Sequence, residues 1–190
     1  FKIGLAWLEL KDKAQALAAF SQLMNAKGYF RQEARFHIGE IARELENYPL
    51  AIQHYKAIVA EDAMHPLASR ARRAVGISLY QTEDYKGAIE TFAAILKDYP
   101  ATDAAIPESR LWFGKSLIAS GDIENGILEV LKVPVLYPGS EFISQAYGEA
   151  ARAYAKLNNI NKSRMMYEEL LKTKPPAELR QEAETALKKS

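Results

Sequence analysis

Only three histidines, His37, His54 and His65, and no cysteine occur in this 190-residue sequence. Histidine and cysteine are the side chains best suited to holding a transition metal or to moving protons near neutral pH. None of the three histidines pairs with a second one at helical i, i+4 spacing, and the H-E-x-x-H pattern is absent. They read as surface or seam residues. The lack of cysteine excludes disulfides, thiol catalysis and cysteine-ligated zinc. Glu44/Glu46 and Glu168/Glu169 come closest to an acid/base couple. Both pairs stand among other charged residues and read as solvated helix faces. There is no G-x-S-x-G, no P-loop and no G-x-G-x-x-G. Asn161-Lys162-Ser163 is formally a glycosylation sequon, but its place between two helical stretches reads as an N-cap cluster. The sequence thus assigns no catalytic residue, no metal ligand and no cofactor, and the chain is expected not to be an enzyme.

Bulk properties narrow the class further. Lysine and arginine number 25 against 24 aspartate and glutamate, a formal net charge of +1. With no basic run, that balance argues against nucleic acid as a partner. Apolar residues make up 48% and charged residues 26%, which suits a folded chain rather than a disordered one. The longest apolar stretches fall far short of the roughly 20 residues a membrane-spanning helix needs. Phe1 falls inside a helical pattern, so the chain reads as a fragment, and any signal peptide or lipid anchor would lie upstream.

The strongest signal is a period. A small residue is followed by another twelve positions later in five places: Gly4/Ala16, Gly39/Ala51, Gly76/Ala88, Gly114/Gly126 and Ala151/Ser163. Four residues after each second member stands Phe20, Tyr55, Phe92, Val130 or Tyr167, and three further on Leu23, Ile58, Ile95, Val133 or Leu170. Successive units are offset by 35, 37, 38 and 37 residues. Within each half, apolar residues recur at three- and four-residue intervals, the helical period. The residue eight after each first small one is Asp12, Asn47, Asp84, Asp122 or Asn159. Such side chains accept hydrogen bonds from the free N–H groups of a helix's first turn, so these five are predicted N-caps of second helices. Pro49 suits a first turn. Breakers at Gly28, Pro66, Pro100, Pro107, Pro138-Gly139 and Pro175-Pro176 separate the units. Ser69, Thr102 or Asp103, and Ser140 are predicted to cap the following first helices. Pro134 is expected to break or kink a second helix. Residues 177–190 read as one more amphipathic helix, with Leu179, Ala183 and Leu187 on one face, closing the stack.

This pattern resembles the tetratricopeptide repeat. The best matches are Val75-Gly76, Leu79, Asp84-Tyr85, Ala88, Phe92, Pro100 and then Phe113-Gly114, Leu117, Gly121-Asp122, Gly126, Val130, Pro138. Arg35, Arg72, Arg110 and Tyr147 replace the family's common tryptophan. The resemblance implies an all-α, right-handed superhelical solenoid of about five helix-turn-helix repeats plus a C-terminal capping helix. A single domain over 1–190 would hold repeats at about 1–28, 32–66, 69–102, 107–140 and 144–176, with the cap at 177–190.

The implied function is a non-catalytic scaffold that binds a protein or peptide partner in a groove lined by the first helices. The family's groove positions fall on Glu33, Phe36, His37, Glu40 and Arg43, then Arg70, Arg73, Ile77 and Tyr80. They continue through Glu108, Leu111, Trp112, Lys115 and Ile118 to Gln145, Glu149 and Arg152. The apolar members would hold a peptide's side chains and the cations its carboxylates. No asparagine stands at those positions, which argues against the chaperone-docking kind of carboxylate grip. The endings Tyr99-Pro100 and Tyr137-Pro138-Gly139-Ser140 are similar to unit ends of bacterial envelope repeat proteins, such as the outer-membrane assembly lipoprotein and the Tol–Pal coordinator. That implies the periplasm or an outer-membrane complex, with the cytoplasm as alternative. Two further expectations stand beside the scaffold reading. One is an ancillary domain of a larger enzyme, such as a cell-wall enzyme. The other is self-association through an open N-terminal end at Phe1 and Ile3.

Overall fold

The computed structural model describes residues 1–25 and 30–189; the breaker expected at Gly28 lies outside them. These residues form eleven helices and no strand. In chain order they are α1 (Lys2–Glu9), α2 (Lys13–Ser21), α3 (Arg31–Glu44), α4 (Tyr48–Glu61), α5 (Ala68–Gln81), α6 (Tyr85–Asp98), α7 (Ile106–Ser120), α8 (Ile123–Leu136), α9 (Ile143–Lys156), α10 (Ile160–Lys172) and α11 (Ala177–Lys189). No helix among the described residues is long and apolar enough to cross a membrane. The chain divides into two compact units, Phe1–Thr91 and Phe92–Ser190.

Each hairpin turn is built the same way, and the build explains the Asp/Asn spacing. One residue before each cap the backbone is left-handed: Lys11 (φ 61°), Glu46 (58°), Glu83 (62°), Gly121 (99°) and Asn158 (54°). The cap residue's own N–H then reaches back to a carbonyl five residues earlier, Asp12 to Trp7 at 2.9 Å, Asn47 to Ala42 at 2.8 Å and Asn159 to Tyr154 at 2.9 Å. This closes one helix with a Schellman motif and opens the next in a single stroke. Asp12 accepts from the Gln15 N–H at 3.0 Å, Asn47 from Leu50 at 3.3 Å, Asp84 from Gly87 at 2.9 Å and Asn159 from Lys162 at 3.2 Å. Asp122 departs from the series. Its carboxylate accepts from the Asn125 side-chain amide, 3.0 Å from each oxygen, and makes no backbone cap bond.

Three local expectations are corrected. Ser69 is a buried residue inside α5, whose N-cap is Leu67. Asp103 and Ser140 accept N–H bonds from Ala105 (2.8 Å) and Phe142 (3.2 Å) in the turns that precede α7 and α9, so they shape the approach rather than cap the helix. Of the break or kink expected at Pro134, the break does not occur, since α8 runs on to Leu136. The proline's missing N–H leaves the Val130 carbonyl without that intrahelical partner, but the helix resumes beyond it, and Tyr137 N–H reaches the Val133 carbonyl at 2.9 Å. Pro107 opens the first turn of α7, where its missing N–H costs little.

Packing follows one rule in both units: large residues of a second helix press on the next first helix around a fully buried small residue. In the first unit Tyr55 and Ile58 of α4 meet Ala71, Ala74 and Val75 of α5. There too Phe20 of α2 meets Ala34, Ile38 and Ile41 of α3. In the second unit Val130 and Val133 of α8 meet Ala146, Ala150 and Ala153 of α9, and Tyr167 and Leu170 of α10 meet Ala183 of α11. Ala34, Ala71, Ser109, Ala146 and Ala183 are all 0% exposed and recur 37 or 38 residues apart. The closing helix α11 therefore takes the place of a sixth first helix. It buries Ala183 as its predecessors bury their small residue, while its far side carries exposed Glu178, Gln181 and Glu184.

Candidate functional site

The residues singled out in the sequence fall on the first helices α3, α5, α7 and α9, and the structure sorts them. Phe36 and Leu111 are 7% and 1% exposed and belong to the core of their units. This corrects their expected place on a peptide groove. Each is directed into the seam because it sits about 100° around the helix from its more accessible neighbour, His37 or Trp112. The other fifteen are half-buried or exposed.

In the first unit, the His37 ring stacks on Phe20 (centroids 4.9 Å apart, planes at 8°) and lies 5.6 Å from Phe1. Burial and the Arg70 guanidinium hold its pKa below the ordinary histidine value, against the upward pull of Glu40 and Glu33. Glu40 accepts a short hydrogen bond from the Tyr55 hydroxyl and pairs with Arg43 at 3.1 Å. Arg70 lies over the Phe36 ring, 4.8 Å from its centroid, so its charge covers the one aromatic that the groove loses to the core. Arg73, Ile77 and Tyr80 are half-buried along α5, with the Tyr80 ring edge-on to Tyr85 at 5.3 Å.

In the second unit a ladder of alternating charge crosses three first helices. Trp112 donates its indole N–H to Glu108 at 3.3 Å, and Lys115 Nζ stands 3.7 Å above the indole. Lys115 also reaches Glu149 of α9 at 3.4 Å, and Glu149 pairs with Arg152 at 3.0 Å. Arg152 in turn places Nη1 2.7 Å from one Glu182 oxygen and 2.8 Å from the other. Glu182, on α11, accepts a further bond from the Tyr167 hydroxyl at 2.9 Å. Burial alone would lower the Arg152 pKa; Glu149 and Glu182 outweigh it and the net shift is upward.

Glu182 and the two tyrosine hydroxyls were not legible as site residues. The 177–190 segment reads in sequence as a solvated closing helix, and Tyr55 and Tyr167 read as seam fillers. The available signal was the small-residue series: Ala183 continues it, so Glu182 occupies the groove position held earlier by Glu33, Arg70, Glu108 and Gln145. Burial and then the bond to Glu182 push the Tyr167 phenol up to about 12. An acid whose folded pKa is raised binds its proton more tightly when folded. Its contribution is complete below pH 10 and is lost between about 10 and 12. Tyr167→Phe is accordingly expected to flatten the fall in melting temperature over that window, measured by circular dichroism against the parent chain.

Among the described residues no group of three histidine, aspartate or glutamate side chains gathers where a metal ion could be held. What the two first-helix faces offer is a row of cations, carboxylates and aromatic rings presented by helices alone. This is the class of all-α, repeat-built interaction scaffolds. The sequence profile of the tetratricopeptide repeat matches residues 1–63 and 38–104, and another profile of the same repeat matches 144–176. The chain belongs to the tetratricopeptide repeat family.

Solved structures agree on the fold. MamA from Desulfovibrio magneticus RS-1 superposes with a TM-score of 0.74 at 16% identity, covering 90% of each chain. YrrB, a TPR protein described as having an unusual peptide-binding site, gives 0.68 at 18% identity, covering 96% of this chain and 88% of its own. The thermophilic TPR protein TTC0263 from Thermus thermophilus gives 0.69 at 15% identity, covering 98% and 96%. At such identities the likeness is one of fold. No curated protein matches the sequence.

Proposed function

We propose that this chain is a non-catalytic scaffold that holds an extended segment of a partner protein against the first-helix faces, as part of a bacterial envelope complex. The observation that carries this is the ladder from Glu108 to Glu182 in the second unit. Arg152, Lys115 and Glu149 are each partly exposed and each already engaged by an internal partner of opposite charge. Their side chains keep 20–37% of their surface exposed, so a ligand can reach the charges. They can therefore exchange an internal partner for one supplied by a ligand, which is how a surface selects a peptide by charge pattern. Trp112 beside them supplies the flat apolar contact that dominates measured binding energies. In the first unit Arg70, Arg73 and Tyr80 repeat the combination of cation and ring. The envelope reading rests on the Tyr-Pro unit endings at 99–100 and 137–138 and on the 35–38-residue period.

A photocrosslinking residue at Trp112 or at Tyr80, in purified chain added to separate envelope and cytosolic extracts, tests both parts. The expected result is one dominant protein adduct from the envelope extract, reduced at least about fivefold by Lys115→Ala/Arg152→Ala. An adduct from the cytosolic extract alone would overturn the location. No adduct from either, or one indifferent to the double substitution, would overturn the scaffold reading of this face.

A further inference from the structure

The fourth second helix differs from the others on the side it turns to solvent. Counting 2, 5, 9 and 10 residues from its small residue, α4 carries Gln53, Lys56, Ala60 and Glu61. The same places in α6 hold Glu90, Ala93, Lys97 and Asp98, and in α10 and its C-cap Met165, Glu168, Lys172 and Thr173. In α8 they hold Leu128, Leu131, Val135 and Leu136. Leu128 is 61% exposed, Val135 75% and Leu136 53%, while Leu131 between them is half-buried against the core of the unit. Scattered exposed leucines are ordinary, but four apolar residues on one stripe, where sister helices are mostly polar, are not. Between this stripe and Phe113 and Leu117 of α7 lies a groove of about 620 Å³, within the size range of built binding sites.

Size and charge together indicate the occupant. One helix face of four side chains offers a few hundred Å² at most, against about 800 Å² per partner in a stable dimer. A second copy of this chain does not fit that area; a single helix or short segment does. The spacing of the four residues is that of one helix face, the arrangement that receives another helix. On the rim, Glu129 is neutralised by Arg110 at 2.6 Å and Lys132 at 2.5 Å. Asp122, at the N-terminus of α8, is held by the neutral Asn125 amide and has no ion-pair partner among the described residues. We infer that the α7/α8 groove docks an amphipathic helix of a partner protein, whose apolar face covers Leu128, Leu131 and Val135 and whose lysine or arginine lies over Asp122. This surface is separate from the Glu108–Glu182 ladder and does not depend on it.

The test uses the full chain and a labelled probe peptide of about 14 residues, the length of α8. The probe is an alanine/glutamine helix with leucines at i, i+3 and i+7 and one arginine a turn beyond. Binding is read by fluorescence anisotropy, and its place by the methyl NMR shifts of Leu128, Leu131, Val135 and Leu136. The expected result is saturable binding that moves those methyls. L128S/V135S should weaken it at least about tenfold, and D122N by about two- to fivefold, a loss absent with a second peptide whose arginine is replaced by glutamine. R152A should leave it unchanged. The two serine substitutions replace exposed residues, and unchanged circular dichroism will show that the fold is kept. Binding of equal strength to L128S/V135S overturns the inference, as does no saturation at millimolar peptide. A dimer in sedimentation that L128S/V135S abolishes would overturn it in favour of a second copy, and capture on anionic vesicles without peptide binding would overturn it in favour of a lipid surface.

Discussion

Gly114→Ala will destabilise the second unit by about 2 kcal/mol, even though alanine is the better helix former by about 1 kcal/mol. A Cβ built on Gly114 would stand 2.5 Å from Val130 Cγ1, 2.7 Å from the Gly126 carbonyl oxygen and 2.9 Å from the Val130 backbone nitrogen. Gly126 is its mirror image, with a Cβ 2.7 Å from the Gly114 carbonyl oxygen and 2.9 Å from the Ile118 nitrogen. A rotamer change could relieve a clash with a methyl group. Only a wider separation of α7 and α8 can relieve one with backbone atoms, and the burial of Val130 and Val133 depends on that separation. For a chain of this size the loss corresponds to roughly 4–8 °C in melting temperature. Gly114→Leu, with three more carbons in the same place, should leave the second unit without a cooperative transition. Gly139→Ala is the control. Its Cβ would meet nothing within 4 Å, and its effect should stay within about 0.5 kcal/mol. Equal melting temperatures for Gly114→Ala and Gly139→Ala would show that the small pair does not set the helix spacing.

Tyr55→Ala is expected to cost more, about 3–5 kcal/mol, because a fully buried ring is removed from the seam between α4 and α5. Tyr55→Phe separates the hydroxyl from the ring. Burial first, then the bond to Glu40, raise the phenol's pKa far above its ordinary value. The phenylalanine variant keeps the ring and leaves Glu40 its pair with Arg43, so a loss of about 1–2 kcal/mol is expected. Urea unfolding of both variants, with Glu40→Gln alone and combined with Tyr55→Phe, measures the coupling between hydroxyl and carboxylate. If Tyr55→Phe cost as much as Tyr55→Ala, the ring's packing would not be the main term and the seam argument would fail.

Much of the architecture is legible in the sequence, for reasons visible in particular residues. The turn fixes three things at once: a left-handed residue, a cap and the start of the next helix. A left-handed backbone at Lys11, Glu46 or Glu83 is uphill by on the order of 1 kcal/mol, and its residue type gives no warning. The Asp or Asn that follows is chosen for local hydrogen bonding, so the turn could be placed from the cap alone. The starts of first helices were harder to place, as Ser69 shows, because those connections are longer and their N–H groups are taken by Asp103, Ser140 or His65 from outside the helix.

The candidate surface was legible only in outline. Periodicity put Phe36 and His37, or Leu111 and Trp112, next to each other, and one helical step decides which is core and which is surface. The partners of the cations were harder still. Arg152 finds its carboxylate 30 residues away on α11, and Tyr167 shares it across 15.

The order of small, large and capping residues along the chain was enough by itself to determine the hairpins, their number and the helix that closes them, because those choices are settled between neighbours in sequence. Which side chains stay accessible, which charges already have partners and which second helix carries an uncovered apolar stripe were decided only by the tertiary structure, because each depends on what a neighbouring helix leaves open.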